Sequence, residues 1–183
     1  MFSRAISLIA AFFLSAAFLC SCGAVRYNVP APDARDRTNE HWKRAFQLED
    51  ALLNLDPGVD PEEARAAART AVFYSLELAN RYELTRPPLI HNTLVNAGLK
   101  PRGLCIHWAG DLLEKLRSLK LKTLEYHWGV ANKHALLRIE HSTVVVCARG
   151  RPFEEGLVLD PWRNSGRLFF SPVLEDDYTW EKW

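Results

Sequence analysis

Apolar and polar positions along this 183-residue chain fall into three regimes. Residues 5–18 form a mostly apolar run behind Arg4. That is about the length of a signal-peptide core and short for a membrane-spanning helix. From residue 39 to 119 the apolar positions recur at helical spacing. Residues 39–55 place Trp42, Ala45, Phe46, Leu48, Leu52 and Leu53 near one face, and Asp56-Pro57-Gly58 stops the run. A second helix starts with Asp60 as N-cap, Pro61 at the first helical position and Glu63 three residues after the cap. It reaches about Tyr82, and Pro87-Pro88 precludes its continuation. A short helix over 89–97 follows, with Gly98 as its left-handed C-cap. Residues 105, 108, 109, 112, 113, 116 and 119 then mark one face of a fourth helix. In the third regime, β-branched and aromatic residues predict strands at 121–130, 135–148, 157–160 and 168–170. Helices followed by a mostly antiparallel sheet give an α+β domain, one compact unit over 38–183.

The end of the first apolar run narrows its meaning. Leu19-Cys20-Ser21-Cys22-Gly23 resembles the bacterial lipoprotein cleavage box: Leu three places before a cysteine, a small residue before it and Gly after it. The resemblance implies a signal peptide over 1–21 and a mature chain beginning at a diacylated Cys22. Cys20 fits less well, because Leu19 stands where a small residue belongs. Several acyl tails are what stable anchoring requires. Gly23, rather than Asp, implies the outer membrane of a bacterial envelope, with the domain facing the periplasm. Residues 22–37 read as a lipidated tether, with Pro30, Pro32, three arginines and two aspartates over 24–37. Extended, that stretch spans roughly 50 Å.

Charge excludes one class of partner. The formal net charge is +1, and removal of Arg4 with the signal balances it. No basic patch or stripe suggests nucleic acid. The sequence predicts no cofactor. His107, His127, His134 and His141 show no tight metal-ligand spacing with the cysteines.

The chemistry-bearing candidates begin with Cys105, at the start of the fourth helix. Unpaired N–H groups at a helix N-terminus favour negative charge, and the thiolate is the nucleophilic form of cysteine. Gly103 would let backbone and substrate approach the sulfur. A cysteine nucleophile needs a base, and the base an orienting partner. If 135–147 is one strand, Ala135, Leu137, Ile139, His141, Thr143, Val145 and Cys147 share a face. That face is the more apolar and should meet the core, so His141 is the favoured base and His134 the alternative. Asp160, ending the strand Leu157-Val158-Leu159 before Pro161, would fix the imidazole tautomer. The Cys105 backbone N–H is the first oxyanion donor and Asn92 a candidate second. His107 and Trp108 could instead line the cleft.

Gly103-Leu104-Cys105, Glu140-His141-Ser142-Thr143-Val144-Val145-Val146 and Gly156-Leu157-Val158-Leu159-Asp160-Pro161-Trp162 occur in the order found in the transglutaminase-like superfamily. Over 102–162 the chain resembles that group, which shares its core with papain-like peptidases. Ser142-Thr143 stands where many members carry an aromatic residue. The resemblance implies a papain-like or transglutaminase-like core with the nucleophile at a helix N-terminus. It also implies a thiol hydrolase or acyltransferase working through an acyl-enzyme on amide bonds of peptide or peptidoglycan.

Blander uses of the same residues stand beside this reading. The domain could be a catalytically silent envelope binding or scaffold lipoprotein of the same fold. Cys105 could be a packing residue or could pair with Cys147 in a disulfide. A straight strand places Cys147 about 20 Å beyond His141, whereas a disulfide needs Cα atoms within about 7 Å. The triad and that bridge therefore exclude each other. Asp160 could simply cap a turn. The C-terminal aromatic residues read as core and cleft walls, and Glu175-Asp176-Asp177 as a solvated turn.

Overall fold

The computed structural model describes residues 24–31, 36, 38–133 and 138–183. Four helices precede a five-stranded sheet: α1 Glu40–Leu53, α2 Pro61–Arg81, α3 Pro88–Asn96 and α4 Cys105–Ser118. The strands are β1 Leu124–Ala131, β2 His141–Ala148, β3 Leu157–Asp160, β4 Phe169–Pro172 and β5 Trp180–Lys182. Neighbouring strands are antiparallel, in the order β4-β3-β2-β1-β5. The chain is therefore an α+β protein with an open sheet.

The helix starts follow from capping. Asn39 Oδ1 accepts from the His41 N–H at 2.8 Å, and Asp60 Oδ1 accepts from Glu62 and Glu63 N–H at 2.9 and 3.0 Å. Glu63 does not close the reciprocal box expected of it. Its carboxylate instead takes the N–H groups of Lys122 and Thr123, both at 2.7 Å, and the Thr123 hydroxyl. Thr123 Oγ1 in turn accepts the Asp60 N–H at 3.1 Å. The side chain that sequence assigns to a local cap therefore ties the start of α2 to the approach to β1.

The centre of the sheet departs from the expected alternation. β2 is buried at every residue. Val144, Val146 and Ala148 face the helices, against Leu112 and Leu116 of α4 and the residues of α1 and α2. Val145 and Cys147 face a second, smaller core with Val158, Phe153, Val173 and Trp180. His141 belongs to that second face, so its side is buried, but against the smaller core and not the main one. A strand covered on both sides needs no polar face, which is why Val144-Val145-Val146 is continuous.

β2 also begins at His141, not at 135. Its register with β1 ends at Ala131↔His141. Asn132, at φ 61°, turns the chain there, and its amide donates to the Ile139 carbonyl at 3.2 Å. Ile139 is 67% exposed instead of facing a core.

The described part of the expected tether is docked. Ala24 bridges Thr85, the Val25 N–H donates to the Leu84 carbonyl at 2.6 Å, and Tyr27 exchanges two backbone bonds with the Asn80 side chain. The Tyr27 hydroxyl donates to the Ser165 carbonyl at 2.8 Å, and Val29 packs on the main core. Alternating Val25, Tyr27 and Val29 give this stretch one face to bury, and Asn80 satisfies the backbone between them. Residues 24–29 thus pack as part of the domain instead of forming an extended tether.

Glu63→Ala should lower unfolding free energy by about 1–2 kcal/mol, since it removes charge-assisted bonds to the start of β1. Glu62→Ala, on the exposed side of the same turn, should stay within about 0.5 kcal/mol. Urea unfolding of the two variants checks the contrast.

Candidate active site

Three elements bring the site together. Cys105 opens α4, His141 opens β2, and Asp160 closes β3. Asp160 is fully buried and His141 only 3% exposed. The His141 Nε2–H donates to Asp160 Oδ2 at 2.7 Å. Cys105 lines the same cleft as this imidazole and acts on it electrostatically; with Nε2 committed to Asp160, Nδ1 is the ring nitrogen not engaged by the carboxylate. The sulfur also lies 3.8 Å from the Glu140 carbonyl oxygen. Cys105 is half-buried, with an unpaired thiol.

Burial alone would push the imidazole toward neutrality. The hydrogen bond and charge of Asp160, with Cys105 nearby, outweigh it and raise the His141 pKa to about 9. The ring therefore favours its imidazolium form at neutral pH. Three aromatic rings surround it: Trp162 at 4.8 Å, Tyr178 at 5.1 Å and Trp180 at 5.4 Å between centroids. Aromatic faces attract a cation.

Asp160 both caps a turn and orients the histidine. Oδ1 accepts the Arg163 N–H at 3.1 Å, while the Arg163 Nε–H donates to Oδ2 at 3.2 Å. The same guanidinium donates to both oxygens of Asp176 at 3.0 Å. Asp176 also accepts the Ser171 hydroxyl and the Tyr178 N–H. Its side chain is fully buried. The acidic run over 175–177 is therefore not simply a solvated turn: its central residue anchors the arginine that holds Asp160.

The nucleophile's approach loop is fixed from behind. The His91 Nδ1 accepts the Thr85 N–H at 3.1 Å, so Nε2 carries the proton and donates to the Arg102 carbonyl at 2.8 Å. Burial lowers the His91 pKa and keeps the ring neutral. The His107 Nδ1 accepts the N–H groups of Gly103 and Leu104 at 3.1 and 3.2 Å. The Trp108 indole donates to the Gly103 carbonyl at 2.9 Å. His107 and Trp108 thus brace the loop instead of lining the cleft. Gly103 is needed because His91 occupies the place of a side chain: a Cβ there would lie 2.2 Å from His91 Nε2, at φ 123°. The close approach expected at this glycine is made by an imidazole, not by substrate.

These groups open on a cleft of about 390 Å3, whose lining includes Leu89, Asn92, Cys105, Glu140, His141 and Trp162. The Trp162 indole donates to Asn92 Oδ1 at 3.0 Å. An indole N–H is only a donor, so it fixes the amide orientation and leaves the two Asn92 N–H donors for the cleft. Trp162 therefore links the candidate oxyanion donor to the candidate base. Cys147 lies at the far end of β2, buried and unpaired, its thiol pushed up to about 12 by burial. Cys105 and Cys147 form no disulfide. His134 and Cys22 lie outside the described residues. Among the described residues, no group of three His, Cys, Asp or Glu side chains is placed to hold a metal ion.

Sequence reasoning missed the roles of Arg163, Asp176 and His91. Only the Asp-Pro-Trp-Arg order, with Arg163 three residues after Asp160, hinted at the first. The chain matches no protein-family model, no curated protein and no solved structure.

Two consequences are measurable. The raised His141 pKa contributes stability that is fully present below the unfolded value of 6.5 and lost as pH rises through about 9. Between pH 7 and 10 the wild type should lose on the order of 2–3 kcal/mol from this source, a loss absent in His141→Gln. Urea midpoints against pH compare the two. Gly103→Ala, with both strain and a clash, should cost on the order of 2–4 kcal/mol. Calorimetric melting measures it.

Proposed function

We propose that the domain is a thiol hydrolase or acyltransferase acting on amide bonds, with Cys105 as nucleophile, His141 as acid–base and Asp160 as orienter. The observation that carries this reading is one imidazole, bonded at Nε2 to a fully buried carboxylate, that lines the same cleft as Cys105 and feels it electrostatically. In this reading the core is papain-like or transglutaminase-like. The order of helix-tip cysteine, strand-start histidine and strand-end aspartate supports it. Residues 1–21 are an export signal and Cys22 is acylated. The domain is thereby held on a bacterial envelope membrane, the outer one facing the periplasm, where peptide and peptidoglycan amides are the substrates at hand.

The reaction runs in two balanced halves. The Cys105 thiolate attacks the carbonyl carbon of the scissile amide, and the oxyanion is met by the Cys105 backbone N–H and the Asn92 amide. The His141 imidazolium gives its Nδ1 proton to the leaving nitrogen as the C–N bond breaks, leaving a thioester and a free amine. Neutral His141 then takes a proton from water or from an acceptor amine as that nucleophile attacks the thioester. The thiolate leaves and the ion pair is restored. Water gives hydrolysis, and an amine gives transfer. Asp160 stays ionised throughout and holds the ring.

Alkylation by iodoacetamide at pH 7 tests the proposal. Cys105 should be the labelled cysteine, since Cys147 is buried and its thiol pushed up. Cys105→Ala should lose the label, and His141→Gln should slow it by about tenfold or more. Equal labelling of wild type and His141→Gln would favour a catalytically silent binding lipoprotein instead. Once a substrate is identified, Asn92→Ala should lower kcat by about 10²-fold with KM little changed.

A further inference from the structure

Exposed apolar side chains gather around the cleft. Leu89 and Ile139 line it and are 54% and 67% exposed. Ile90 follows Leu89, Ile106 follows Cys105, and Leu99 lies in the α3–α4 connection; they are 41%, 52% and 71% exposed. His91, bonded to both Thr85 and Arg102, holds the α3 and pre-α4 segments side by side. These residues therefore belong to one surface region. Exposed apolar side chains concentrated beside a cleft are the kind of surface that marks an interaction site.

The docked N-terminal stretch says what covers it. Ala24 bridges Thr85, only a few residues before Leu89 and Ile90. Only Gly23 separates Ala24 from Cys22, so the reach is no more than about 7 Å. If Cys22 carries the acyl chains, the bilayer surface must lie within that distance of the Ala24–Thr85 bridge.

Charge fits the same side. Arg26 acts electrostatically on Glu83, Lys100 pairs with Glu83 at 3.0 Å, Arg86 reaches the Tyr27 hydroxyl, and Arg102 pairs with Asp111. The four cations outnumber the two carboxylates they meet. Cationic side chains beside apolar ones are the composition of a surface that rests on anionic headgroups. The cleft itself also carries Glu140 and Asp177 beside Arg138.

We propose that the α3 and pre-α4 surface, with Leu89, Ile90, Leu99, Ile106 and Ile139 at its apolar centre, docks onto an anionic bilayer and turns the cleft mouth toward it. This rests on the acylated Cys22 of the proposed function and adds what that reading leaves open, the orientation of the domain. Substrate then enters from the membrane side, so the amide bonds served are those presented at the lipid surface. The apolar rim supplies the second membrane contact that acyl chains alone leave free to swing.

Spin labels read this orientation in the full, processed chain. It would be reconstituted into vesicles of phosphatidylglycerol and phosphatidylethanolamine. Single labels would be placed at Ile90→Cys, Leu99→Cys and, as a distant control, Glu62→Cys, all with Cys105→Ser. Labels at 90 and 99 should be reached by oxygen and shielded about tenfold from a water-soluble nickel chelate, relative to 62, as at a depth of roughly 5–10 Å. Equal nickel access at all three positions overturns the proposal. Concentration-dependent broadening at 90 and 99 without vesicles also overturns it, in favour of a second copy of the chain. The mass of the N-terminal peptide keeps the two readings apart. An acylated Cys22 with water-exposed labels defeats only the docking, whereas an unacylated Cys22 defeats the anchor and the docking with it.

Discussion

A fully buried carboxylate, Asp160, sets the terms for the rest of the site. An isolated charge in that position would be costly, and the surroundings must supply opposite charge and hydrogen bonds. They do so in a row: His141, Asp160, Arg163 and Asp176 alternate in sign when the imidazole is protonated. Two cations and two carboxylates leave the group neutral as a whole. Removing any one member leaves an unbalanced charge among buried aromatic rings. The charged imidazole follows from this balance.

Topology explains how Asp176 and the imidazole of His141 reach the neighbouring pair Asp160 and Arg163. β4 lies at one edge of the sheet and β5 at the other, although they are consecutive. The chain must cross the sheet between them, and residues 173–179 do so on the side that carries His141. That crossing delivers Asp176 to Arg163 and sets Tyr178 and Trp180 against the imidazole. The second small core, with Val173 and Trp180, is the apolar part of the same crossing.

The sulfur is placed by a different set of contacts. His91 and Trp108 each hold one backbone group of the Arg102–Leu104 loop, and His107 holds two. A reactive group held by locked neighbours meets its partner with little reorganisation. The contrast with Cys147 is instructive. The two thiols lie at opposite ends of β2, one half-exposed beside an imidazolium, the other buried where ionisation is opposed. The cysteine at the tip of α4 thus sits open to the cleft, whereas the one within β2 is committed to packing.

Local signals decided much of this protein in advance. Asn39, Asp60-Pro61 and Gly98 set helix boundaries because capping depends on neighbours within one turn. Leu157-Val158-Leu159-Asp160 marked a strand end for the same reason. Cys105, His141 and Asp160 were legible as candidates because each occupies a position where its chemistry is usable. What local pattern did not carry was anything that depends on which surfaces meet. Burial of β2 on both sides, Glu63 turning to Thr123, residues 24–29 docking on Asn80, and Arg163 joining Asp160 to Asp176 all come from segments distant in sequence. Hydrogen-bond and charge satisfaction in a folded interior is settled between such segments, so only the tertiary structure decides it.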